Sequence, residues 1–127
     1  MSSAHTQGIL VEVKSEYIAD RSAPAARRFA FAYTVEITNQ GTETAQLKSR
    51  HWIITDAQGD VQEVKGEGVI GAQPILAPGE SFEYTSWCVL PTPSGSMRGT
   101  YQMVTSRGEG FDAQIATFRL MMPHSLN

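Results

Sequence analysis

The chain is almost without cysteine, has no long apolar run and carries no excess of positive charge. One thiol, Cys88, stands among 127 residues, so no intramolecular disulfide can form, and a reducing, cytoplasmic setting is expected. No stretch approaches the ~20 consecutive apolar residues that cross a bilayer, which predicts no membrane insertion and excludes a helical transporter or channel. The opening MSSAHTQGILVEVKSEY lacks a basic start followed by an apolar run, so no signal peptide is expected. With a formal net charge of −3 there is no footprint for wrapping nucleic acid. Arg27, Arg28, Lys48 and Arg50 are left as candidates for a local basic patch.

Catalytic and metal patterns are missing too. His5, His51, Cys88 and His124 are widely separated, with no C-x-x-C or H-x-x-x-H pair and no EF-hand loop, so neither a metal site nor a cofactor is expected. There is no G-x-S-x-G elbow. A Cys88–His51 nucleophile–base pair would depend on folding to bring the two together, and a lone cysteine in an aromatic strand reads as a small buried hydrophobe. Asp56 and Asp60 flank a turn and read as turn formers. The expectation is a chain that is not an enzyme.

What is present is alternation. Ile9, Val11, Val13 and Tyr17 share one face of a first strand, after a flexible lead over residues 1–7. Arg28 to Asn39 places Phe29, Phe31, Tyr33, Val35 and Ile37 on one face, and Asn39-Gln40-Gly41 gives a turn. Ala45 to Asp56 alternates imperfectly: Trp52 and Ile54 argue for one inward face, Leu47 and Ile53 for the other. Either both faces are partly covered or a bulge switches them. Val61 to Lys65, the short Pro74 to Leu76, Ser81 to Leu90, Met97 to Thr105 and Phe111 to Leu120 complete the strands. Pro78-Gly79 predicts a type II turn. In the last strand the phase slips between Ile115 and Phe118, which predicts a bulge near Ile115 and Ala116; Met121 onward reads as a tail. Seven to eight short strands with no helical stretch predict an all-β fold, an immunoglobulin/fibronectin type III-like antiparallel β-sandwich in one domain over residues 1–127, with flexible ends near 1–7 and 122–127. Tyr84 is the candidate for a corner tyrosine bonded to backbone.

FAYTVEITNQG, WIIT, GEGVIGAQPILAPGE, FEYTS, GSMRGTYQM and the closing FRL occur in that order over nearly the whole chain. Together they resemble the ApaG family. The resemblance implies a single cytoplasmic β-sandwich of bacterial origin, often named for an association with cobalt and magnesium efflux that rests on genetic resistance. Related domains are appended to eukaryotic F-box proteins and to a polymerase-delta-interacting protein, which implies a partner-binding module. A gene neighbour that hydrolyses diadenosine tetraphosphate implies context and transfers no catalytic residue. Trp87-Cys88 and Ala116 depart from the family pattern.

Gly66-Glu67-Gly68-Val69-Ile70-Gly71 fits G-x-G-x-x-G, yet Ala72-Gln73-Pro74 follows where a dinucleotide fold requires a helix. Two readings stay open. The segment is a bend needing glycine dihedrals, or its amides form a nest for pyrophosphate or a diphosphate-containing nucleotide, with Arg98 or Arg107 as helpers and Glu67 opposing. The binding candidates are therefore Gly66, Gly68, Gly71, Gln73, Pro74 and Trp87, the last grouped with Val69, Ile70 and Pro74 as an apolar patch. The leading expectation is a non-enzymatic module that presents the loop Gly66–Pro74 and its neighbours to a protein partner, any cobalt or magnesium link being indirect. The alternative is a small-molecule sensor at the glycine loop.

Overall fold

Nine antiparallel strands form two sheets in the computed structural model, which describes residues 1–123. They are β1 (Ser2–Thr6), β2 (Ile9–Tyr17), β3 (Phe29–Asn39), β4 (Ala45–Asp56), β5 (Val61–Glu67), β6 (Ile75–Leu76), β7 (Ser81–Leu90), β8 (Ser94–Thr105) and β9 (Gly110–Met121). The first sheet has the order β1-β2-β3-β7. The second runs β5-β4-β8-β9, with β6 added to β4. The expected sandwich is therefore present, with one strand more than the pattern predicted.

That extra strand corrects the expected flexible lead. Ser2 to Thr6 pairs with Ile9 to Val13 through a tight turn at Gln7-Gly8, both at positive φ. The strand has no apolar alternation of its own, so its signal is the turn rather than the pattern. At the other end Met121 belongs to β9 and the Met122 amide donates to the Pro93 carbonyl at 2.9 Å, so the tail begins later than expected. The rest of the predicted flexible end, from residue 124 on, lies outside the described residues, as does His124.

Period-two alternation makes the core. Inward residues of β2 and β3 (Ile9, Val11, Val13, Phe31, Val35, Ile37) face Leu47, Trp52, Met97, Tyr101, Met103, Phe118 and Leu120 of the second sheet. Trp52 sits at the centre, edge-on to Tyr33 (5.4 Å between centroids), Tyr101 (6.2 Å) and Phe118 (5.9 Å). Two strands keep this alignment only by adding a residue. In β4, Leu47 pairs with Met103 and Ser49 with Gln102, leaving Lys48 unpaired. In β9, Ala116 and Thr117 together oppose Arg98, where the slipping phase predicted a bulge. The turns behave as their residues dictate: Glu80 N–H donates to the Ala77 carbonyl across Pro78-Gly79, with Gly79 at φ 90°. Asp56 Oδ1 accepts from the Gln58 and Asp60 amides, a turn-forming role.

Tyr84 corrects another expectation. Its hydroxyl is not tied to backbone but hydrogen-bonds the hydroxyl of Tyr101 across the sandwich, both side chains being buried. A buried hydroxyl left without a partner costs about 1–3 kcal/mol. Tyr101→Phe should therefore destabilise by roughly that amount, because the Tyr84 hydroxyl loses its partner. Tyr84→Phe with Tyr101→Phe should cost less than the sum of the two single changes. Urea unfolding of the three variants checks this, and simple additivity would mean that the two hydroxyls act independently.

Candidate functional site

The β4 bulge shapes one whole side of the molecule. Ahead of it Ala45 and Leu47 point inward; beyond it Arg50, Trp52 and Ile54 do. A charged side chain thus enters the space between the sheets. Arg50 pairs with Tyr101 on β8 and with Gly66 on β5. Its guanidinium lies over Gly66, where an added Cβ would fall 2.8–2.9 Å from the guanidinium atoms. Nη1 donates to the carbonyls of Glu67 (3.0 Å) and Gly68 (2.8 Å).

The glycine segment closes over the same bulge. The Lys48 carbonyl accepts from the Gly68 amide at 2.9 Å and from Gln73 Nε2 at 2.8 Å. The Gln73 carbonyl accepts from Gln46 Nε2, and the Pro74 carbonyl from the Leu47 amide. Between these anchors Val69 and Ala72 exchange both backbone bonds around Ile70-Gly71, whose φ values of 42° and 79° make a two-residue turn of the primed hairpin type. Gly68 has φ 63° and an added Cβ would meet the Ala72 carbonyl oxygen at 2.3 Å.

Of the predicted site residues, Gly66 lies within β5 rather than in a loop, while Gly68, Gly71, Gln73 and Pro74 are brought together in the cover over the bulge. The amides of Gly68, Val69 and Ala72 are already engaged, which leaves those of Ile70 and Gly71 at the turn tip without a partner among the described residues. Arg107 pairs instead with Glu43 at 2.9 Å. The proposed apolar patch also divides. Val69 is buried in the core at 1% exposure, whereas Ile70 (62%) is at the turn tip. Trp87 (55%) pairs with Ala32 on the outer face of the first sheet, beside exposed Val89 and small Ala30.

Cys88 and His51 are on opposite sides. Cys88 faces inward from β7, paired with Phe31, and His51 lies on the outer face of the second sheet, 2.7 Å from Glu63 Oε1. The hydrogen bond to His51 holds the Glu63 carboxyl below its ordinary range. Among the described residues no three His, Cys, Asp or Glu side chains gather to hold a metal.

Sequence reasoning missed the site that Arg50 makes. Among the described residues nothing pairs with the edges of β5 and β7 on this side, and a cleft of about 290 Å³ opens between them. Inward positions at these edges, Gln62 and Val64 on β5 and Ser86 and Cys88 on β7, line the cleft without filling it. Tyr33, Trp52, Ile54 and Met97 form its base. Burial raises the Tyr33 phenol, partly offset by a Ser86 hydrogen bond, and pushes the Cys88 thiol up to about 11. Burial likewise raises Tyr84 and Tyr101. The signal was available: stepping back two residues from Trp52 places Arg50 on the inward phase.

The family profile described as the ApaG domain matches residues 19–105. Protein ApaG of Anaeromyxobacter dehalogenans (strain 2CP-C) is 59% identical over 127 residues, all of both chains. Protein ApaG of Rhodospirillum centenum is 57% identical over 124 residues, covering 98% of this chain and 95% of the relative. Among solved structures, the ApaA protein of Bordetella pertussis superposes with a TM-score of 0.89 at 55% identity, over 92% of this chain and 95% of that one.

Two outcomes follow from this geometry. Ile70 is β-branched at positive φ, a conformation that costs about 1–3 kcal/mol and that asparagine or glycine adopts readily. Ile70→Asn should raise stability by about 1 kcal/mol in denaturant melts. The second concerns pH. Unfolded, the thiol and phenols ionise from about 9 and 10; folded, they hold their protons to higher pH. Above about pH 9 the unfolded state therefore binds fewer protons, and stability falls as pH rises. Denaturant midpoints from pH 7 to 11 should be flat and then decline, with a shallower decline in the variant carrying both Tyr84→Phe and Tyr101→Phe.

Proposed function

The chain belongs to the ApaG family, and from that premise we propose that it is a non-enzymatic binding module that docks a protein partner on the β7 side of its first sheet. The observation that carries this is Trp87. A tryptophan more than half exposed on an edge strand is the kind of anchor that dominates protein interfaces. Val89 extends the apolar surface along the same face, and Thr34, Thr85, Glu36 and Glu83 give it a polar border farther along.

β7 is also equipped to recruit an extended segment. It runs ten residues in unbroken register with β3 and has no partner strand on its other side among the described residues. Its sequence SFEYTSWCVL contains no proline, no lysine and no bulge, the devices that normally blunt an edge. Main-chain pairing to such an edge supplies affinity, and Trp87 and Val89 select the partner's alternate side chains. A cytoplasmic setting suits the free thiol of Cys88. We place any connection to cobalt or magnesium with the partner rather than with ligands on this chain.

An aromatic photo-crosslinking amino acid (benzoylphenylalanine) at position 87, which keeps a large aromatic anchor there, should trap a discrete protein adduct in cells. The same group at Gln114, on the outer face of the other sheet, should not. Val89→Arg should reduce the position-87 adduct at least several-fold while leaving the melting temperature within a few degrees of wild type, since Val89 is exposed. Identical products from positions 87 and 114 would overturn the proposal.

A further inference from the structure

We infer that the cleft between the β5 and β7 edges is a binding site for a small organic carboxylate, its anion held by Arg50 and its apolar body packed against Val64, Trp52 and Ile54. At about 290 Å³ the cleft lies at the small end of ligand pockets, which run from roughly 300 Å³ upward. Its lining mixes the apolar Trp52, Ile54, Val64 and Met97 with the polar Arg50, Gln62, Ser86 and Tyr33.

Charge selects the ligand. Arg50 is half-buried and takes part in neither of the ion pairs found among the described residues, His51–Glu63 and Arg107–Glu43. Only its Nη1 has protein acceptors; Nε and Nη2 donate to none of the described residues. A guanidinium carries donors in a planar fork that matches a carboxylate. Among the described residues no carboxylate side chain lines the cleft, and Arg50 is the one cation that does. A single positive charge beside an apolar wall balances a monoanion. A phosphate dianion would leave a second charge without a partner there. Ser86 and the Tyr33 hydroxyl supply neutral hydrogen-bonding groups at the same mouth.

The site is tested on the isolated chain with phenylacetate, phenylacetamide and inorganic phosphate at millimolar concentrations, followed by amide and indole NMR shifts. No protein partner is required, so the outcome is separate from that of partner docking. Phenylacetate should give saturable shifts at the Ser86–Val89 amides and the Trp52 indole. Phenylacetamide should bind at least ten-fold more weakly, and phosphate should leave these signals in place. Arg50→Gln should weaken phenylacetate at least ten-fold. Because Arg50 also anchors the Glu67 and Gly68 carbonyls, Ser86→Leu, which fills the cleft and leaves Arg50 intact, should do the same. Absence of saturable phenylacetate shifts, equal binding of acid and amide, equal shifts with phosphate, or undiminished binding to Ser86→Leu would each overturn the inference.

Discussion

Lys48 is inserted into β4 without a partner on β8, and the open side of the sandwich depends on that insertion. A one-residue shift in a strand reverses which face each side chain occupies. Without it, Leu47 and Trp52 cannot both reach the core, since an odd number of residues separates them from a common phase. With it, both are buried and Arg50 is carried inward with Trp52 and Ile54. The insertion also leaves the Lys48 carbonyl outside the regular ladder, and a buried or half-buried carbonyl requires a donor. The Gly68 amide and the Gln73 side chain provide two.

This accounts for the glycine segment in mechanical terms. Gly66 is bare so that the Arg50 guanidinium can lie across it; Gly68 is bare because a Cβ there would run into the Ala72 carbonyl; Gly71 supplies the second positive φ of a tight turn. The G-x-G-x-x-G spacing therefore reflects three different local requirements. None of them is the pyrophosphate cradle that the same spacing makes at the start of a helix. The other side of the sandwich is sealed: Thr6 Oγ1 accepts the Gln114 amide and Ser15 Oγ donates to the Arg119 carbonyl, tying β1 and β2 to β9. Exposed edges, the exposed tryptophan and the cleft are thus collected on the β5–β7 side.

Much of the fold was legible because its residues repeat with period two. The faces of β3 and the bulge near Ala116 follow from which positions are apolar, and the turns at Asn39 and Pro78-Gly79 from their asparagine, glycine and proline; in β4 the pattern left open a bulge or two partly covered faces. β1 was illegible because SSAHT has neither β-branched alternation nor aromatic content; its pairing is enforced by the Gln7-Gly8 turn and by β2. The Tyr84 hydroxyl was misassigned because period two reports the face on which a side chain lies but not what stands opposite. Its partner, Tyr101, belongs to the other sheet. Among the candidate site residues, Trp87 lies exposed on the outer face of β7. Its grouping with Val69 failed because Val69 turns into the core.

Sequence alone determined the class of fold, the strands with strong alternation, the place in the last strand where the phase must slip, and the family. These are encoded locally, in the order of apolar and polar residues and in glycine and proline at turns. Only the tertiary structure decided which inward faces oppose one another. That choice sets Ser86 of β7 opposite Gln62 and Val64 of β5 across the cleft and joins Tyr84 to Tyr101 across the core. Such relations depend on how one sheet is laid over the other, and residues far apart in the chain carry no local mark of it.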